Sequence, residues 1–396
     1  MKKIAYVITQ SELGGAQKNV LLLCNGFKDK YDITVYSAPG GKMIDELNSI
    51  GIRHVAIPEM VREINPIMDF KCYKKLKMEF KKNKYDVVHS HSSKAGILAR
   101  EAALSAGVKN IIYTAHGFVF NEPMSTAKKK LYTFLEAYES RKTTSLICVD
   151  ENDISIAKNK GIKPKKNLVY VPNGIDFDRA ITKVDSQFVK YQSSDKLDAN
   201  CLCIGKEKNS QTHISKMRKN FGISEGDFVF GSVANFYETK GHRYLIQAFK
   251  DMCTEGYEAK LILIGDGHLL QEMKALAGDN KNIIFTGYVE NAMDKMRIID
   301  CFVMSSVKEG FPFVILEAIK NKIPIVSTDV GAIRKILNEE EFGILTQPNN
   351  VDSLRLSMIK AMEEYPMMIK KAEKSYECNK ERYSLETMIK QTEELY

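Results

Sequence analysis

Two glutamates flank a Gly-Phe-Pro turn in the segment EGFPFVILEA, residues 309–318. The apolar run after the turn predicts a helix, and the backbone N–H groups at a helix N-terminus attract anions. Glu309 lies in the turn and Glu317 two turns into the helix, so the helical rise separates them by roughly 10 Å. That separation suits a nucleotide sugar folded over its diphosphate. Surface carboxylates in salt bridges are the alternative interpretation.

Two glycines and a lysine beside predicted helix starts are further anion-binding candidates. Gly14 and Gly15 follow the first predicted strand and precede a helix, so their N–H groups could face a phosphate. Lys240 opens a helix in KGH, where an ammonium beside the helix N-terminus suits a diphosphate. The alternatives are a plain βα turn at the glycines and a surface lysine at 240.

His116 and Asp266 also follow predicted strands. His116 stands in TAHG, where an imidazole can donate, accept or act as a base toward a sugar hydroxyl. A lone histidine is more often structural. Asp266 stands in GDGHLL, a partial glycine fingerprint. A tight βα turn is the favoured interpretation of that segment, and a contact to a nucleoside comes second.

No metal is expected. We predict that His89 and His91 point to opposite sides of a strand, which disfavours a two-histidine site. Asp176 and Asp178 have the DxD form of some metal-diphosphate sites, but they follow PNG in a predicted linker. The eight cysteines lack the spacing of a zinc knuckle, so reduced and mostly buried thiols are expected.

The elements that must position these residues alternate short β-rich runs with amphipathic segments. The runs are apolar on both faces, as in parallel sheets covered by helices. The same alternation of predicted strands and helices begins again at FVFGSVA, residue 228. We therefore predict an α/β fold of two Rossmann-like doubly wound domains facing across a cleft. The predicted boundaries are 1–175 for the first domain, 176–220 for a linker with insertion, 221–380 for the second domain and 381–396 for a C-terminal helix returning toward the first.

Bulk properties agree with this organisation. A chain of 396 residues exceeds what one core usually serves, which favours two domains. Residues 1–180 carry 29 Lys and Arg against 19 Asp and Glu, a net +10, and the remainder carries 29 against 31, a net −2. The start MKKIAYVITQ reads as a strand, and no run approaches the roughly 18 to 20 apolar residues that span a bilayer. A cytoplasmic or peripheral protein is expected.

Together these motifs resemble the retaining GT-B glycosyltransferases of the large bacterial family that includes mannosyltransferases and capsule or exopolysaccharide sugar transferases. The resemblance covers nearly the whole chain and rests on LGGAQKNVL, VVHSHSSKAG, YTAHGF, VPNGID, ETKGH, LILIGDG, TGYVE and EGFPFVILEA followed by VSTDVGA. The segment EGFPFVILEA carries the E-x7-E spacing of the family in full.

The resemblance implies roles for these residues. Glu309 would touch the donor hexose near the reacting carbon, Glu317 the ribose, and His116 the donor sugar, which makes Glu309 and His116 the catalytic candidates. Gly14 and Gly15 would approach the phosphates from the first domain. Lys240 would hold the diphosphate together with the backbone of the turn, at Gly310, Phe311, Phe313 and Val314. Asp266 would belong to the donor-binding set.

One departure from the family pattern concerns the diphosphate. The family commonly carries an Arg five residues before the Lys, and this chain has Asn235 there. One cation is therefore missing, and Arg243 or Lys308 could substitute for it.

The implied reaction moves a hexose or N-acetylhexosamine from a nucleotide diphosphate sugar to an acceptor hydroxyl with retention, without a metal or other cofactor. The donor would be a UDP-sugar or a GDP-sugar, and the acceptor a glycan or a polyprenyl-diphosphate-linked sugar; nucleic acid is not expected. The alternatives are a nucleotide-sugar 2-epimerase and a non-catalytic partner of another transferase. A nicotinamide dehydrogenase is disfavoured because GxGxxG does not follow the first strand.

Two basic segments predict contact with an anionic membrane surface. KCYKKLKMEFKKNK at 71–84 spaces Tyr73, Leu76 and Phe80 by three and four among seven lysines, and KKKLYTFLEAY at 128–138 is similar. The stripe is either the buried face of a helix or part of a surface that docks on the inner leaflet.

Overall fold

The computed structural model describes residues 1–122, 124–178, 208–289 and 292–396. These residues form two compact units. The first contains Met1–Ile175, Glu309–Phe313 and Tyr383–Tyr396, and the second contains Asp176–Lys308 and Val314–Arg382. Most of the predicted linker insertion, residues 179–207, lies outside the described residues.

The first unit is built on seven strands: β1 (Lys3–Val7), β2 (Asp32–Ser37), β3 (Arg53–Ala56), β4 (Val87–His91), β5 (Asn110–Ala115), β6 (Ser145–Cys148) and β7 (Asn167–Tyr170). All neighbouring pairs are parallel, in the order β3-β2-β1-β4-β5-β6-β7. The connecting helices are α1 (Gly15–Phe27), α2 (Lys42–Ser49), α3 (Pro66–Asn83), α4 (Ser93–Ala106), α5 (Thr126–Ser140) and α6 (Glu151–Asn159).

The first sheet has a core on each face. Ile4 and Tyr6 of β1 pack into one cluster with the buried side of α1, whereas Ala5 and Val7 pack into another with α3 and α4. Consecutive strand residues point to opposite faces, so a run that is apolar throughout supplies both cores.

The second unit has six parallel strands: β8 (Val229–Val233), β9 (Lys260–Ile264), β10 (Ile283–Gly287), β11 (Cys301–Met304), β12 (Ile325–Thr328) and β13 (Ile344–Thr346). Their order is β10-β9-β8-β11-β12-β13, so the winding reverses between β8 and β11 as it does between β1 and β4. Such a reversal opens a crevice at the carboxyl ends of the strands, where ligands bind in open α/β sheets.

The remaining helices are α7 (Lys208–Asn220), α8 (His242–Thr254), α9 (Leu270–Ala277), α10 (Ala292–Lys295), α11 (Phe313–Lys320), α12 (Ile333–Ile336), α13 (Val351–Glu363), α14 (Tyr365–Asn379) and α15 (Leu385–Glu393). Helix α7 lies within residues 176–220, the predicted linker. Helix α15 belongs to the first unit, and an isolated bridge pairs Ile175 with Ser384 just before it.

The predicted doubly wound architecture is confirmed for both sheets. Strands β3 and β13 were not predicted, because RHVA carries two polar residues and β13 is three residues long. Among the described residues, no helix combines the length and the hydropathy needed to cross a bilayer.

Candidate active site

The turn that carries Glu309 lies against His116 within the first unit. A Cβ built on Gly310 would stand 2.8 Å from the carbonyl oxygen of His116 and 3.2 Å from its carbonyl carbon. Real side chains do not tolerate such an approach to backbone, so only glycine fits at 310. The next residue on the facing segment, Gly117, has a φ of +101°. The structure thus brings together the two segments that carry the predicted catalytic residues.

The aromatic residues of this turn face the interior of the first unit. The ring of Phe311 is buried and packs edge-on against Tyr383 at 5.1 Å between centroids. Phe313 is also buried, and the ammonium of Lys18 lies 5.1 Å from its ring centroid. In this arrangement the predicted contribution of Phe311 and Phe313 to an anion site rests on their backbone groups.

The ring of His116 is part of a stack of three histidines. Its Nε2 lies 3.0 Å from Nδ1 of His91, and the His91 ring stacks on His89 at 4.4 Å between centroids. Our prediction that His89 and His91 point to opposite sides is wrong, because residues two apart on a strand share a face. His89 bonds to Thr114 and to Tyr396, at 2.7 Å and 2.8 Å.

Desolvation keeps these histidines neutral; His89 and His91 are buried and His116 is half-buried. Desolvation lowers the pKa of His116 to about 4 and that of His89 to about 3, and it lowers the pKa of His91 well below its ordinary value. A neutral imidazole whose Nε2 is engaged by His91 leaves Nδ1 to face a ligand. His116 therefore suits hydrogen bonding to a sugar better than it suits carrying a positive charge.

Gly14 and Gly15 form the bare N-terminal end of α1. Gly14 is the N-cap with an extended backbone, no side chain caps the helix, and its first turn holds no acidic residue. A Cβ on Gly15 would meet no atom within 4 Å, and one on Gly14 would meet only the side-chain amide of Gln17. The fold does not itself demand glycine at 15, while the uncapped N–H groups suit an anion.

In the second unit, Lys240 is fixed where the winding of the sheet reverses. The carbonyl of Lys240 accepts from Oγ of Ser305 at 3.0 Å, and the N–H of Val307 donates to Thr239 at 2.8 Å. Gly241 has a φ of +65°, and any Cβ there would overlap the Ser305 carbonyl. These contacts join the loop after β8 to the loop after β11, beside the start of α8. Lys240 thus lies at the crevice edge that the topology predicts.

The GDG segment is a tight turn. Cβ atoms at Gly265 and Gly267 would collide with the backbone of residues 234–236, and the carboxylate of Asp266 accepts from the N–H of Gly267 at 2.7 Å. Asp266 is exposed and Asn235, on the facing segment, is half-buried. The structure supports the turn as the first role of this motif, and a nucleoside contact of Asp266 stays a prediction.

The remaining predicted site positions are Glu317, Val314 and Asp176. Glu317 lies on α11 and is 8% exposed, and Val314 is half-buried. Asp176 caps its own turn by accepting from the N–H of Asp178 at 3.1 Å.

Within the described ranges, no three His, Cys, Asp or Glu side chains form a group that could hold a metal. Four of the six described cysteines are buried; Cys201 and Cys203 lie outside the described residues.

A cavity of about 260 Å³ adjoins the Lys240 turn within the second unit. Its lining includes Glu238, Gly241, Arg243 and Val307, but neither Lys240 nor Glu317. His242 also lines it, stacked on Phe236 at 4.1 Å, and burial lowers the pKa of His242 to about 4. The sequence offered only KGH as a signal for this histidine.

The chain matches two protein-family models. Residues 213–382 match Glycosyl transferases group 1, and residues 13–179 match Glycosyltransferase Family 4. Among curated relatives, the UDP-Gal:alpha-D-GlcNAc-diphosphoundecaprenol alpha-1,3-galactosyltransferase of Escherichia coli is 28% identical over 373 residues, which is 91% of this chain and 88% of that protein. The capsular polysaccharide biosynthesis glycosyltransferase CapM of Staphylococcus aureus is 28% identical over 79% of this chain and 76% of the CapM chain.

Solved structures confirm the GT-B fold. Anabaena HepE, crystallised with UDP and glucose, superposes with a TM-score of 0.80 at 18% identity, over 100% of this chain and 99% of HepE. WaaG, a glycosyltransferase involved in lipopolysaccharide biosynthesis, gives a TM-score of 0.71 at 16% identity, over 98% of each chain.

We expect the His116 ring to remain neutral down to about pH 4. An unfolded chain protonates its histidines near pH 6.5, so between these values it binds more protons than the folded protein does. Folding stability should therefore decline as the pH falls from 6.5 toward 4. NMR of 15N-labelled histidine across this range measures the ring directly, with His116→Asn to assign its signal. A His116 ring that titrates near pH 6.5 would contradict the desolvated, neutral state.

Proposed function

We propose that this chain, whose residues 213–382 match the model of Glycosyl transferases group 1, is a retaining transferase that moves a hexose or N-acetylhexosamine from a UDP-sugar to a glycan hydroxyl. The observation that carries the proposal is the contact of the Glu309 turn with His116 in one compact unit. A carboxylate and a neutral imidazole on touching segments suit the hydroxyls of one sugar ring, as acceptor and donor of hydrogen bonds.

The choice of substrates follows the curated relatives. The name of the Escherichia coli relative gives a UDP-sugar as donor and a sugar on diphosphoundecaprenol as acceptor. We propose the same classes here, with a GDP-sugar as the alternative donor, and a role in capsule, O-antigen or related surface-glycan synthesis.

The diphosphate would be held by a cation and by a helix N-terminus. In the second unit, Lys240 stands beside the uncapped start of α8. Such preorganised donors stabilise the negative charge that develops on the leaving diphosphate, so the reaction we propose needs no metal. With Asn235 in place of the family's Arg, this site lacks one cation, and Arg243 or Lys308 could substitute for it; Arg243 is exposed and pairs with Glu272 at 2.8 Å.

Retention would proceed on one face of the sugar. The bond from the anomeric carbon to the diphosphate oxygen breaks, and the acceptor oxygen bonds to the same face. The acceptor proton passes to the departing diphosphate oxygen, so neither Glu309 nor His116 has to become covalently attached. Glu309 would instead orient the hexose beside the reacting carbon, and Glu317 would hold the ribose.

The direct test is a transfer assay with the full chain. We expect one UDP-sugar from a panel of UDP- and GDP-sugars to be consumed only when a polyprenyl-diphosphate-linked sugar is present. NMR of the product should show the anomeric configuration of the donor, and EDTA should leave the rate unchanged. An inverted product would refute retention, and loss of turnover with EDTA that a divalent ion restores would refute metal independence.

Other outcomes of that assay identify the competing functions. A new sugar nucleotide formed from donor alone would indicate a 2-epimerase. Donor binding without turnover, with every acceptor, would indicate a non-catalytic partner of another transferase.

The two glutamates should respond differently to amide substitution. We expect Glu309→Gln to lower kcat by about 100-fold or more, because it removes a charged contact at the reacting sugar, and to leave UDP affinity nearly unchanged. Glu317→Gln should weaken UDP binding by about tenfold through loss of a charge-assisted hydrogen bond to the ribose. Steady-state kinetics and UDP calorimetry measure both effects, with exposed Glu373→Gln as control. Equal effects of both changes on UDP affinity would overturn this assignment.

We further propose that the first unit docks on an anionic membrane through α3 and α5. Leu76 and Phe80 of the predicted stripe are buried, so they belong to the core, and Tyr73 is half-buried. The exposed apolar residues are instead Ile67, Phe70 and Met78 on α3, at 71%, 56% and 59%, together with Leu131, Phe134 and Tyr138 on α5. Both helices pack on α4.

Charge complementarity favours anionic lipid as the occupant of this surface. Exposed lysines accompany the apolar residues on both helices: Lys71, Lys74, Lys81 and Lys82 on α3, and Lys128, Lys129 and Lys130 on α5. Aromatic and aliphatic side chains among lysines suit the boundary between headgroups and acyl chains of anionic lipid. A surface of this kind would bring the enzyme to a polyprenyl-linked acceptor.

We expect the chain to sediment with vesicles that contain anionic lipid at low salt, and much less with neutral vesicles or at high salt. Each lysine near such a surface contributes about 1 kcal/mol. Replacing Lys71, Lys74, Lys81 and Lys82 by Gln should abolish binding, and Phe134→Ser should weaken it. Leu356→Ser, at an exposed apolar position on α13, is the matched control. Binding that ignores lipid charge or survives the lysine changes would refute electrostatic docking.

A further inference from the structure

Two buried asparagines connect helix α1 to the turn that carries Glu309. Nδ2 of Asn19 donates to Oδ1 of Asn173 at 2.9 Å, and Nδ2 of Asn173 donates to the carbonyl of Phe311 at 2.7 Å. The exposed fractions of Asn19, Asn173 and Phe311 are 5%, 3% and 4%. We propose that Asn19 and Asn173 are positioning residues that set the place of Glu309, an inference that rests on the proposed transferase function.

The direction of these bonds is determined by chemistry. A carbonyl oxygen only accepts hydrogen bonds, so Asn173 must present its amide N–H groups to Phe311 and its oxygen to the other side. Asn19 then has to donate to that oxygen. Helix α1 thereby selects the orientation of the Asn173 amide through the side chain of Asn19.

The side chain of Asn19 has a buried acceptor without a hydrogen bond, and the bond from its nitrogen to Asn173 explains why an asparagine is nevertheless present. Its Oδ1 is buried and has no hydrogen-bond partner in the part of the chain that the structure describes. Its nitrogen also lies 3.5 Å from the sulfur of Met388, on α15. An unsatisfied buried acceptor costs free energy, so an apolar residue would be expected at 19 if packing alone mattered. The directional hydrogen bond to Asn173 explains why position 19 carries a side-chain amide.

The turn depends on such contacts because residues 309–312 lie outside any helix or strand. Gly310 rests on the His116 carbonyl, the ring of Phe311 packs on Tyr383, and the carbonyl of Phe311 receives the Asn173 amide. Of these three contacts, the hydrogen bond from Asn173 to the carbonyl of Phe311 is the directional one. Its loss lets the Glu309 backbone shift, and a displacement of about 1 Å in a catalytic group can cost about 100-fold in rate.

The tests are Asn173→Asp and Asn19→Asp, which keep side-chain size. An aspartate at 173 cannot donate to the Phe311 carbonyl. An aspartate at 19 cannot donate to Asn173, whose amide then flips and turns its oxygen toward the same carbonyl. We expect each variant to lower kcat by about 10- to 100-fold with little change in the KM for the UDP-sugar. Because both changes break one chain of contacts, the double variant should lose no more than the worse single variant.

Asn167→Asp is the matched control. Asn167 stands at the other end of β7, and its amide donates to Oγ of Ser145 at 3.0 Å. It should keep wild-type kcat even if stability falls. Unchanged kcat in Asn173→Asp, equal loss in the control, or additive losses in the double variant would overturn the positioning role.

Hydrogen exchange separates this inference from the proposed function. The amides of Glu309, Gly310, Phe311, Phe313 and Val314 should exchange faster in Asn173→Asp and in Asn19→Asp than in wild type or Asn167→Asp, whatever reaction the protein catalyses. Wild type without transferase activity but with this exchange pattern would refute the function and retain the positioning role. Unchanged exchange at these amides would refute the positioning role itself.

Discussion

The close approach of backbone at residues 116 and 310 is the contact on which the candidate site depends. It requires glycine at 310, it places the Glu309 turn in the first compact unit, and it sets this turn beside the segment that ends β5. The helix that comes next, α11, continues from Val314 in the second unit. Glu309 and Glu317 are therefore close in sequence but members of different units.

Electrostatics differ between the two groups of site residues. In the first unit, a stack of three histidines, of which His89 and His91 are buried, is kept neutral by desolvation, and helix α1 presents an uncapped N-terminus without acidic residues. In the second unit, Lys240 and the start of α8 provide positive charge at the reversal of the winding. Neutral imidazoles suit a sugar and positive potential suits a diphosphate, and the proposed reaction requires both.

The fold assigns different roles to residues that look alike along α3. Leu76 and Phe80 fill the core between this helix and the sheet, whereas Ile67 and Phe70 remain exposed among lysines. Helix α5 shows the same separation, with Glu136 buried against Arg100 of α4 at 3.0 Å while Phe134 faces outward. A buried ion pair holds α5 in place because leaving either charge unpaired would be costly.

The sequence by itself determined the fold class and most of the strands. Runs that are apolar on both faces, alternating with amphipathic segments, admit few arrangements other than a parallel sheet covered by helices. The same pattern predicts helix α11 and places Gly14, His116, Lys240 and Glu309 after strands, because the order of residues along the chain is enough to locate the end of each strand. Short or polar strands such as β3 lacked that signal.

Only the tertiary structure decided which of these residues meet. Three contacts join segments that are far apart in the chain: Gly310 with His116, the Asn19–Asn173–Phe311 connection, and the stacking of three histidines. Residue types alone do not predict which distant segments will meet. Which apolar residues are exposed also depends on how α3 and α5 pack on α4. Periodicity identifies an apolar face, but the neighbouring elements determine whether that face is covered.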